Sequence, residues 1–321
     1  MKRLPFLLTP VPKDYLWGGS RLNDDFSLDC TVSPFAEAWV CSTHPDGIST
    51  PLGELLSSHP DWLGTHPLQT TNGRAELPIL IKLIDAKQDL SVQVHPDDEY
   101  ALKKEDQWGK TEMWYVLDAR PGASLVYGFN RDISKDQVRD AVTDGNIISL
   151  LNHVPVEKND LFFIEAGTVH AIGAGTLIAE IQESSNVTYR LYDYNRVDKG
   201  GKTRPLHIDK ALEVANLKSS AAPRQPLRTL KYKTGCASEL LCRCKYFQVE
   251  RMLLNTETQR SLVTFQTSTN SFHALLCIDG CGSLSWNEGA LNFFKGDCIF
   301  IPADSEEIRL HGKAQFLNVS C

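Results

Sequence analysis

The 321-residue sequence has no long apolar run. A membrane-spanning helix needs roughly 18 consecutive apolar residues, and no stretch here reaches that length. The apolar stretch near the start is soon interrupted by Pro5 and Pro10, which argues against a signal peptide. We therefore expect a protein without a membrane partner that resides in the cytoplasm.

The sequence also has no excess of basic residues over acidic residues. The 33 lysines and arginines are outnumbered by 40 aspartates and glutamates, which gives a formal net charge of -7. Proteins that bind nucleic acid or membrane surfaces need an excess of basic residues on one face, so the composition argues against both kinds of partner. A phosphorylated ligand would have to be bound by a few local lysines and arginines. The sequence does not indicate the oligomeric state.

Regularly spaced cysteine pairs are missing as well. The nine cysteines are an odd number and are scattered along the chain, which is typical of reduced thiols and not of a disulfide framework. Cys242 and Cys244 are separated by one residue, which is not the usual spacing of a zinc-binding pair. The cysteines therefore give no reason to expect a structural zinc site.

The chain does contain many short β-type runs with glycine turns between them. This pattern is typical of an antiparallel double-sheet fold of the jelly-roll kind, with helices in the minority. The run Ile79–Ile84 is followed by a short link to Leu90, which predicts a β-hairpin. Ser134 is a plausible helix N-cap, and the apolar spacing after it predicts one or two short helices before the strands resume.

A composition rich in small residues and proline at Ser219–Pro223 predicts a domain boundary, with one domain over residues 1–218 and a second over 219–321. An internal similarity supports two related β-barrels. The stretch 159–166 lines up with 296–303, and 112–118 lines up with 273–279. In this alignment Glu307 lies opposite His170, and the second barrel has no counterpart of His95. We therefore expect the second barrel to bind no metal.

Two pairs of polar residues occupy the entrances of predicted strands. Gln93 and His95 lie two residues apart, as do Lys110 and Glu112, so each pair shares one face of its strand. His170 ends a glycine turn on a third segment. A single histidine is more often structural than metal-binding, but an amide, two imidazoles and a carboxylate from three segments can hold a divalent metal. The neutral amide of Gln93 is the weakest of these ligands.

Four segments that contain these residues resemble the type I mannose-6-phosphate isomerases of the cupin superfamily. They occur in the order that the family shows, and the resemblance extends from about Leu16 to Leu217. The overall form is similar to the short bacterial members, which lack a large helical insertion. The resemblance implies a mainly β fold of two cupin-type jelly-roll barrels, with a short helical insertion in the first. The segments are Gln93–Pro96, Lys110–Glu112, Ala166–Ile172 and Tyr189–Asp193.

The same resemblance implies a zinc enzyme that interconverts mannose 6-phosphate and fructose 6-phosphate through a metal-stabilised enediolate, with one divalent ion per chain. It implies a first domain that carries the catalytic site and a small sugar phosphate as the partner. The implied metal ligands are Gln93, His95, Glu112 and His170. The implied catalytic and substrate-binding residues are Arg190, Lys110, Lys82, Glu180, Glu37 and Trp17.

Several roles stay open from the residues alone. Lys110 could accept a proton or only neutralise the ligand carboxylate, and Lys82 could lie at a sheet edge or point into a polar cavity. Arg190 could stabilise an enediolate, clasp phosphate or form a surface ion pair, and Arg196 is a further phosphate candidate. In some relatives an aspartate four residues before the key arginine opens the sugar ring. Here that position is Asn186, so another group has to open the ring.

Two other functions stay open as well. Two histidines and one carboxylate on a β-barrel also describe a non-haem Fe(II) oxygenase, and a metal-stabilised sugar-sensing protein would need no turnover. The basic set of Lys82, Lys110 and Arg190 favours a phosphosugar enzyme. We expect a strand over Thr188–Tyr194 that directs Arg190 inward, where a buried guanidinium would need an anionic partner.

Overall fold

The computed structural model describes residues 2–26, 28–47, 51–197, 200–221, 223, 225–257 and 262–321. These residues form a mainly β structure. Its strands are β1 (Phe6–Leu7), β2 (Val11–Lys13), β3 (Glu37–Cys41), β4 (Ile79–Ala86), β5 (Val92–Val94), β6 (Glu112–Ala119), β7 (Ser124–Phe129), β8 (Leu151–Pro155), β9 (Leu161–Ile164), β10 (His170–Ile172), β11 (Thr176–Glu183), β12 (Tyr189–Tyr192), β13 (Lys231–Lys233), β14 (Cys236–Arg243), β15 (Gln248–Asn255), β16 (Val263–Phe265), β17 (His273–Trp286), β18 (Gly289–Phe294), β19 (Cys298–Ile301) and β20 (Ile308–Ser320).

The α-helices of the described residues are short. They are α1 (Arg21–Asp24), α2 (Pro51–Ser58), α3 (Thr65–Thr70), α4 (Asp98–Glu105), α5 (Lys135–Thr143) and α6 (Ile208–Val214). Three 3-10 turns accompany them, at Pro45–Gly47, Pro60–Trp62 and Ile147–Leu150. Within the described ranges, no helix has both the length and the apolar character needed to cross a bilayer.

Strands β2 to β12 form two antiparallel sheets that face each other, and we call this unit the N-terminal barrel. One sheet has the order β2-β3-β4-β11-β6-β9 and the other has the order β12-β5-β10-β7-β8. The space between the sheets is filled by a cluster of buried residues that includes Trp114, Phe162 and Ile178. The site described below lies where this apolar filling gives way to polar side chains.

Strand β4 is apolar along almost its whole length because both of its faces are buried. Every residue of β4 is buried, and successive side chains point to opposite faces. Ile81 and Leu83 pack in the cluster that joins the two barrels, whereas Ile84 packs in the interior of the N-terminal barrel. Because both faces are covered, only Lys82 and Asp85 bring charge into this strand.

The predicted hairpin between Ile79–Ile84 and the stretch after Leu90 is wrong. Strand β4 pairs with β3 and β11, whereas β5 pairs with β10 and β12 in the other sheet. The link between β4 and β5 therefore crosses from one sheet to the other. The NH of Leu90 already donates to the carbonyl of Ile172 in the second sheet, so the chain has changed partner by that point.

Helices α5 and α6 cover the outer face of the five-stranded sheet. The predicted N-cap at Ser134 is confirmed as a capping box, in which Ser134 Oγ accepts from the NH of Gln137 and Gln137 Oε1 accepts from the NH of Ser134. Val138 and Val142 then point into an apolar cluster that also contains Leu212 of α6. The polar face of α5 remains exposed, as expected for a surface helix.

Strands β13 to β20 form one nine-stranded sheet that also includes β1, and we call this unit the C-terminal barrel. Its apolar interior includes Phe293 and Phe316. Phe6 of β1 pairs with Phe300 of β19, so the N-terminal flank is shared between the two barrels. The boundary near residue 218 stays a prediction, and Ala222 of the stretch that predicted it lies outside the described residues.

The two barrels repeat one strand pairing in the same register. In the N-terminal barrel Glu112 pairs with Ile164, and in the C-terminal barrel His273 pairs with Ile301. These are the partners that the internal alignment matches to each other. The structure thus supports the relation between the barrels, and it places His273 at the position that corresponds to Glu112.

Candidate active site

Three predicted metal ligands come together inside the N-terminal barrel. His95 follows β5, Glu112 begins β6 and His170 begins β10, and one ligand atom from each lies within 4.8 Å of the others. The Nε2 atom of His95 lies 3.3 Å from Glu112 Oε1, and the Nε2 atom of His170 lies 3.9 Å from Glu112 Oε2. The three side chains are at most 1% exposed. Among the described residues, this is the one group of histidine, cysteine and carboxylate side chains close enough to hold a metal.

Backbone carbonyls set the orientation of both imidazoles. His95 Nδ1 lies 2.7 Å from the carbonyl oxygen of Val187, and His170 Nδ1 lies 2.8 Å from that of Thr168. A carbonyl oxygen only accepts, so each Nδ1 must carry the hydrogen. Each Nε2 therefore turns a lone pair toward Glu112. Hydrogen bonds of this kind hold metal-binding histidines in the required tautomer.

Burial and nearby charges set the protonation states of the three side chains. Burial, followed by the positive charge of Lys110, lowers the pKa of His95 to about 3. Burial also lowers the pKa of His170. Burial alone would favour a neutral Glu112, but the nearby charges, above all that of Lys110, hold the pKa of this carboxyl well below its usual range. Neutral imidazoles and an ionised carboxylate are the protonation states that metal binding requires.

Glu112 is held by groups on both of its oxygens. Lys110 Nζ lies 2.7 Å from Oε1 and 3.2 Å from His95 Nε2, while Trp114 Nε1 donates to Oε2 at 2.9 Å. Oε1 is buried and has no hydrogen bond of good geometry from the described residues. Glu112 Oε1 thus has the Lys110 ammonium as its ion-pair partner, and it faces the Nε2 lone pair of His95. A buried carboxylate beside two imidazole lone pairs is a donor set that fits a divalent cation.

Gln93 lies at the edge of this cluster, cross-strand from His170. Its amide Nε2 is 3.5 Å from His170 Nε2, and its Oε1 accepts from Ser91 Oγ at 3.3 Å. Metal ligation would use the oxygen, so the carboxamide would have to be turned over. The two ends of a carboxamide have nearly the same shape, which makes this a small change. Gln93 as a ligand stays a prediction.

A polar cavity of about 120 Å³ opens beside the cluster. Its wall contains most of the residues that the sequence selected for substrate and catalysis. These are Trp17, Glu37, Lys82, Lys110, Glu180 and Arg190, together with Gln93. The structure therefore brings together residues that lie up to 173 positions apart in the sequence, from Trp17 to Arg190. Their individual roles stay predictions.

Lys82 points into this cavity, and the alternative position at a sheet edge is wrong. Its side chain is 5% exposed, and its Nζ donates to Glu180 Oε1 at 2.8 Å and lies 3.9 Å from Glu37 Oε2. Burial disfavours the charge, but the carboxylates of Glu180 and Glu37 together raise the pKa of this lysine. Trp39 Nε1 in turn donates to Glu37 at 2.7 Å, so the carboxylate has a fixed position.

Arg190 lies on β12 opposite Gln93 and faces the cavity, as the sequence predicted. Its Nε is buried without a hydrogen-bond partner among the described residues, so the surface ion pair considered for this residue is not found there. The strand is shorter than expected. It ends at Tyr192, and Tyr194 and Asn195 adopt a left-handed backbone conformation that strands do not allow.

The structure does not bring Arg196 into the cavity wall. Its guanidinium donates to Asp193 Oδ1 at 2.6 Å and to the carbonyl of Asp89 at 2.6 Å. Arg204, which the sequence analysis did not select, lies in the wall instead. It comes from an irregular segment without hydrophobic periodicity, so no pattern in the sequence indicated its position.

Asn186, the residue that departs from the family pattern, also lies in the cavity wall. Its Nδ2 donates to Asp46 Oδ2 at 2.7 Å. Other wall residues that the sequence analysis missed are Tyr15 and Thr188. Tyr15 stacks on Trp17 with ring centroids 5.7 Å apart, and burial raises the pKa of its hydroxyl to about 12. The NH of Gly18 donates to the carbonyl of Tyr15, so Tyr15 and Trp17 belong to one turn, and no strand periodicity in the sequence indicated Tyr15.

Comparison with known proteins identifies related sequences. The family model of the type I phosphomannose isomerase catalytic domain matches residues 6–119, and that of the mannose-6-phosphate isomerase cupin domain matches residues 238–321. A mannose-6-phosphate isomerase of Streptococcus mutans is 32% identical to this chain, over 98% of this chain and 97% of its own length.

Solved structures show the same fold. The crystal structure of the mannose 6-phosphate isomerase from Bacillus subtilis has a TM-score of 0.86 and 30% identity, with 99% of each chain covered. A structure described as a zinc-bound holo mannose 6-phosphate isomerase has a TM-score of 0.75 and 16% identity, with 98% of each chain covered. The predicted mainly β, cupin-type fold is thus confirmed. Because the similarity to its relatives extends over nearly the whole length of both sequence and fold, this chain belongs to the type I phosphomannose isomerase family.

Proposed function

We propose that this chain interconverts mannose 6-phosphate and fructose 6-phosphate through an enediolate. The observation that carries the proposal is the buried cluster of His95, Glu112 and His170 beside a cavity lined by Lys110 and Arg190. Moving a carbonyl between neighbouring carbons removes one proton, returns another and spreads negative charge over two oxygens. A divalent metal and fixed cationic side chains stabilise such a charge. Membership of the family supports the same substrate.

The metal that we propose is a single zinc ion per chain. His95, Glu112 and His170 would hold it, with Gln93 as the fourth ligand. Two imidazoles and a carboxylate are a common donor set of catalytic zinc, and the neutral amide would be the weakest of the four ligands. When bound, zinc supplies a Lewis acid that polarises the carbonyl without a redox change. The zinc-bound structure with this fold supports the choice of metal.

Lys110 is the residue that we propose as the acid–base group. It lies in the cavity wall, and Glu112 and His95 fix the position of its ammonium. A proton donor or acceptor has to lie within hydrogen-bond reach of the reacting carbons, and the cluster of metal ligands defines where those carbons bind. Arg190, opposite Gln93, would stabilise the negative charge that forms there.

The remaining wall residues would position the sugar. Lys82, Glu180 and Glu37 form a fixed ion-pair network whose polar atoms can bind hydroxyl groups. Trp17 would give the ring an apolar surface to pack against. In this proposal, residues 1–218 carry the catalytic domain, and residues 219–321 form a barrel without metal.

A coupled assay tests the proposed function. Mannose 6-phosphate is supplied to the zinc-loaded protein, and fructose 6-phosphate is measured through a linked enzyme. We expect turnover that a chelator abolishes and that added zinc restores. Oxygen uptake without isomerisation would indicate the iron oxygenase instead. Binding of the sugar phosphate without turnover would indicate the sugar-sensing protein.

A further inference from the structure

The positive charges around the cavity are not evenly neutralised. Lys82 has Glu37 and Glu180 as partners, and Lys110 has Glu112. Both lysines are therefore neutralised by neighbouring carboxylates. The two arginines of the wall, Arg190 and Arg204, form a second group of cations, and among the described lining residues no carboxylate contacts either of them.

Arg204 is held in place from behind by Asp193. Its Nε donates to Asp193 Oδ2 at 2.7 Å and its Nη2 donates to Oδ1 at 2.5 Å, a two-bond contact that fixes the plane of the guanidinium. The side chain of Asp193 is 5% exposed, and its carboxylate also binds Arg196 at 2.6 Å. One negative charge is thus shared by two guanidinium groups, which leaves positive charge at this part of the cavity.

Arg190 adds to that charge. Its buried Nε has no hydrogen bond from the described residues. Arg190 and Arg204 line the same cavity, so their like charges disfavour each other, and burial and then the charge of Arg204 lower the pKa of the Arg190 guanidinium. An anion placed between or beside them would relieve this repulsion and give the buried nitrogen an acceptor.

The two arginines differ in how they are connected to the metal ligands. Arg190 pairs across the sheet with Gln93, which itself contacts His170. Arg204 comes from the segment between β12 and α6, and no described hydrogen bond links it to the cluster of ligands. In a hexose 6-phosphate the phosphate is attached at the end of the carbon chain opposite to the reacting carbons. The two arginines therefore suit different parts of one substrate.

We propose that Arg204, oriented by Asp193, is the residue that anchors the substrate phosphate, whereas Arg190 acts at the reacting end. The proposal rests on the proposed function and assigns the phosphate to a residue outside the family segments named above. An arginine that is already fixed loses little conformational entropy when it binds an anion, and its planar fork matches phosphate oxygens.

The test compares Arg204→Gln with Arg139→Gln, which removes the same charge from an exposed ion pair with Asp209 on the surface. Calorimetry measures the Kd of inorganic phosphate for the zinc-loaded proteins, and steady-state assays measure kcat and KM for mannose 6-phosphate. We expect Arg204→Gln to raise both Kd and KM by about tenfold or more, the size expected for loss of one charged hydrogen bond, with kcat changed less than about threefold. Arg139→Gln should behave as wild type.

Three further variants, at Arg190, Arg204 and Arg196, distinguish the possible outcomes. Arg190→Lys should lower mainly kcat, because it retains the charge but loses the fork at the reacting end. Arg204→Lys keeps a positive charge and serves if Arg204→Gln does not fold. Unchanged Kd and KM in Arg204→Gln, a loss of phosphate binding in Arg196→Gln instead, or no phosphate binding by wild type would each overturn the proposal. Because calorimetry needs no turnover, weaker phosphate binding in Arg204→Gln would still support the phosphate site if the isomerase assay itself failed.

Discussion

A single indole NH lies between two carboxylates of the site. Trp114 Nε1 donates to Glu112 Oε2 at 2.9 Å and also lies 3.1 Å from Glu180 Oε2. The indole is 1% exposed and meets the edge of His170 with ring centroids 5.3 Å apart. It therefore links a proposed metal ligand to the carboxylate that binds Lys82. Such contacts fix the orientation of ligands before the metal arrives.

Replacing this indole should weaken the metal site without unfolding the barrel. In Trp114→Phe the ring remains but the NH is lost, so Glu112 gains rotational freedom. We expect zinc affinity, measured by competition with a chromogenic chelator, to fall by about 10- to 100-fold. The matched control is Trp39→Phe, which removes an NH bonded to Glu37 and not to a ligand. Equal zinc affinity in Trp114→Phe and wild type would show that the indole only fills space.

At the scale of single elements, the start of helix α5 is determined by its local sequence. The capping box of Ser134 and Gln137 satisfies two backbone groups at its start, and its apolar side chains pack on the outer face of the five-stranded sheet. The helix lies on the opposite face of that sheet from the metal ligands. Its stability should therefore be separable from the chemistry of the site.

Ser134→Ala should lower the free energy of unfolding by about 1 kcal/mol, the usual loss for an N-cap. Urea unfolding followed by circular dichroism measures this, and the turnover of mannose 6-phosphate should stay at the wild-type value. Ser57→Ala is a suitable control, because Ser57 is exposed in α2 and its hydroxyl bonds only a backbone carbonyl. A similar loss in both variants would argue against the cap as the cause.

Periodicity explains which parts of the elements could be predicted. Side chains two apart on a strand share a face, so the pairs of Gln93 with His95 and of Lys110 with Glu112 were correctly directed toward one site. The partner of a strand is set by distant segments, and for that reason the hairpin after β4 was wrong. Arg204 could not be predicted, because an irregular segment carries no repeating pattern that reveals the direction of a side chain.

At the scale of the whole molecule, the C-terminal barrel packs against the sheet that carries Glu112. Arg251 donates to the hydroxyl of Tyr115 on β6 and pairs with the buried Glu239 at 2.6 Å. An apolar cluster with Met113 and Leu317 surrounds this contact. The outer face of β6 is thus covered by the second barrel, and its inner face is free to present the ligand.

The two barrels share a register but differ in chemistry. The position that corresponds to Glu112 is His273, whose Nδ1 lies 2.7 Å from Asn318 Oδ1. Glu307, aligned with His170, is exposed beside Arg309. In the described part of the C-terminal barrel no group of ligand side chains comes together. That this barrel binds no metal stays a prediction, and it can be tested together with the site itself.

The most direct test of a single zinc-dependent site is a titration of metal-free protein with zinc, in which bound zinc and isomerase activity are measured in the same samples. A single zinc-dependent site predicts that activity rises linearly to one zinc per chain and then stays constant. His170→Ala should retain its fold but show little zinc binding and no activity, whereas His273→Ala should follow the wild-type curve. Full activity in the metal-free protein, or a plateau only at two zinc ions per chain, would contradict it.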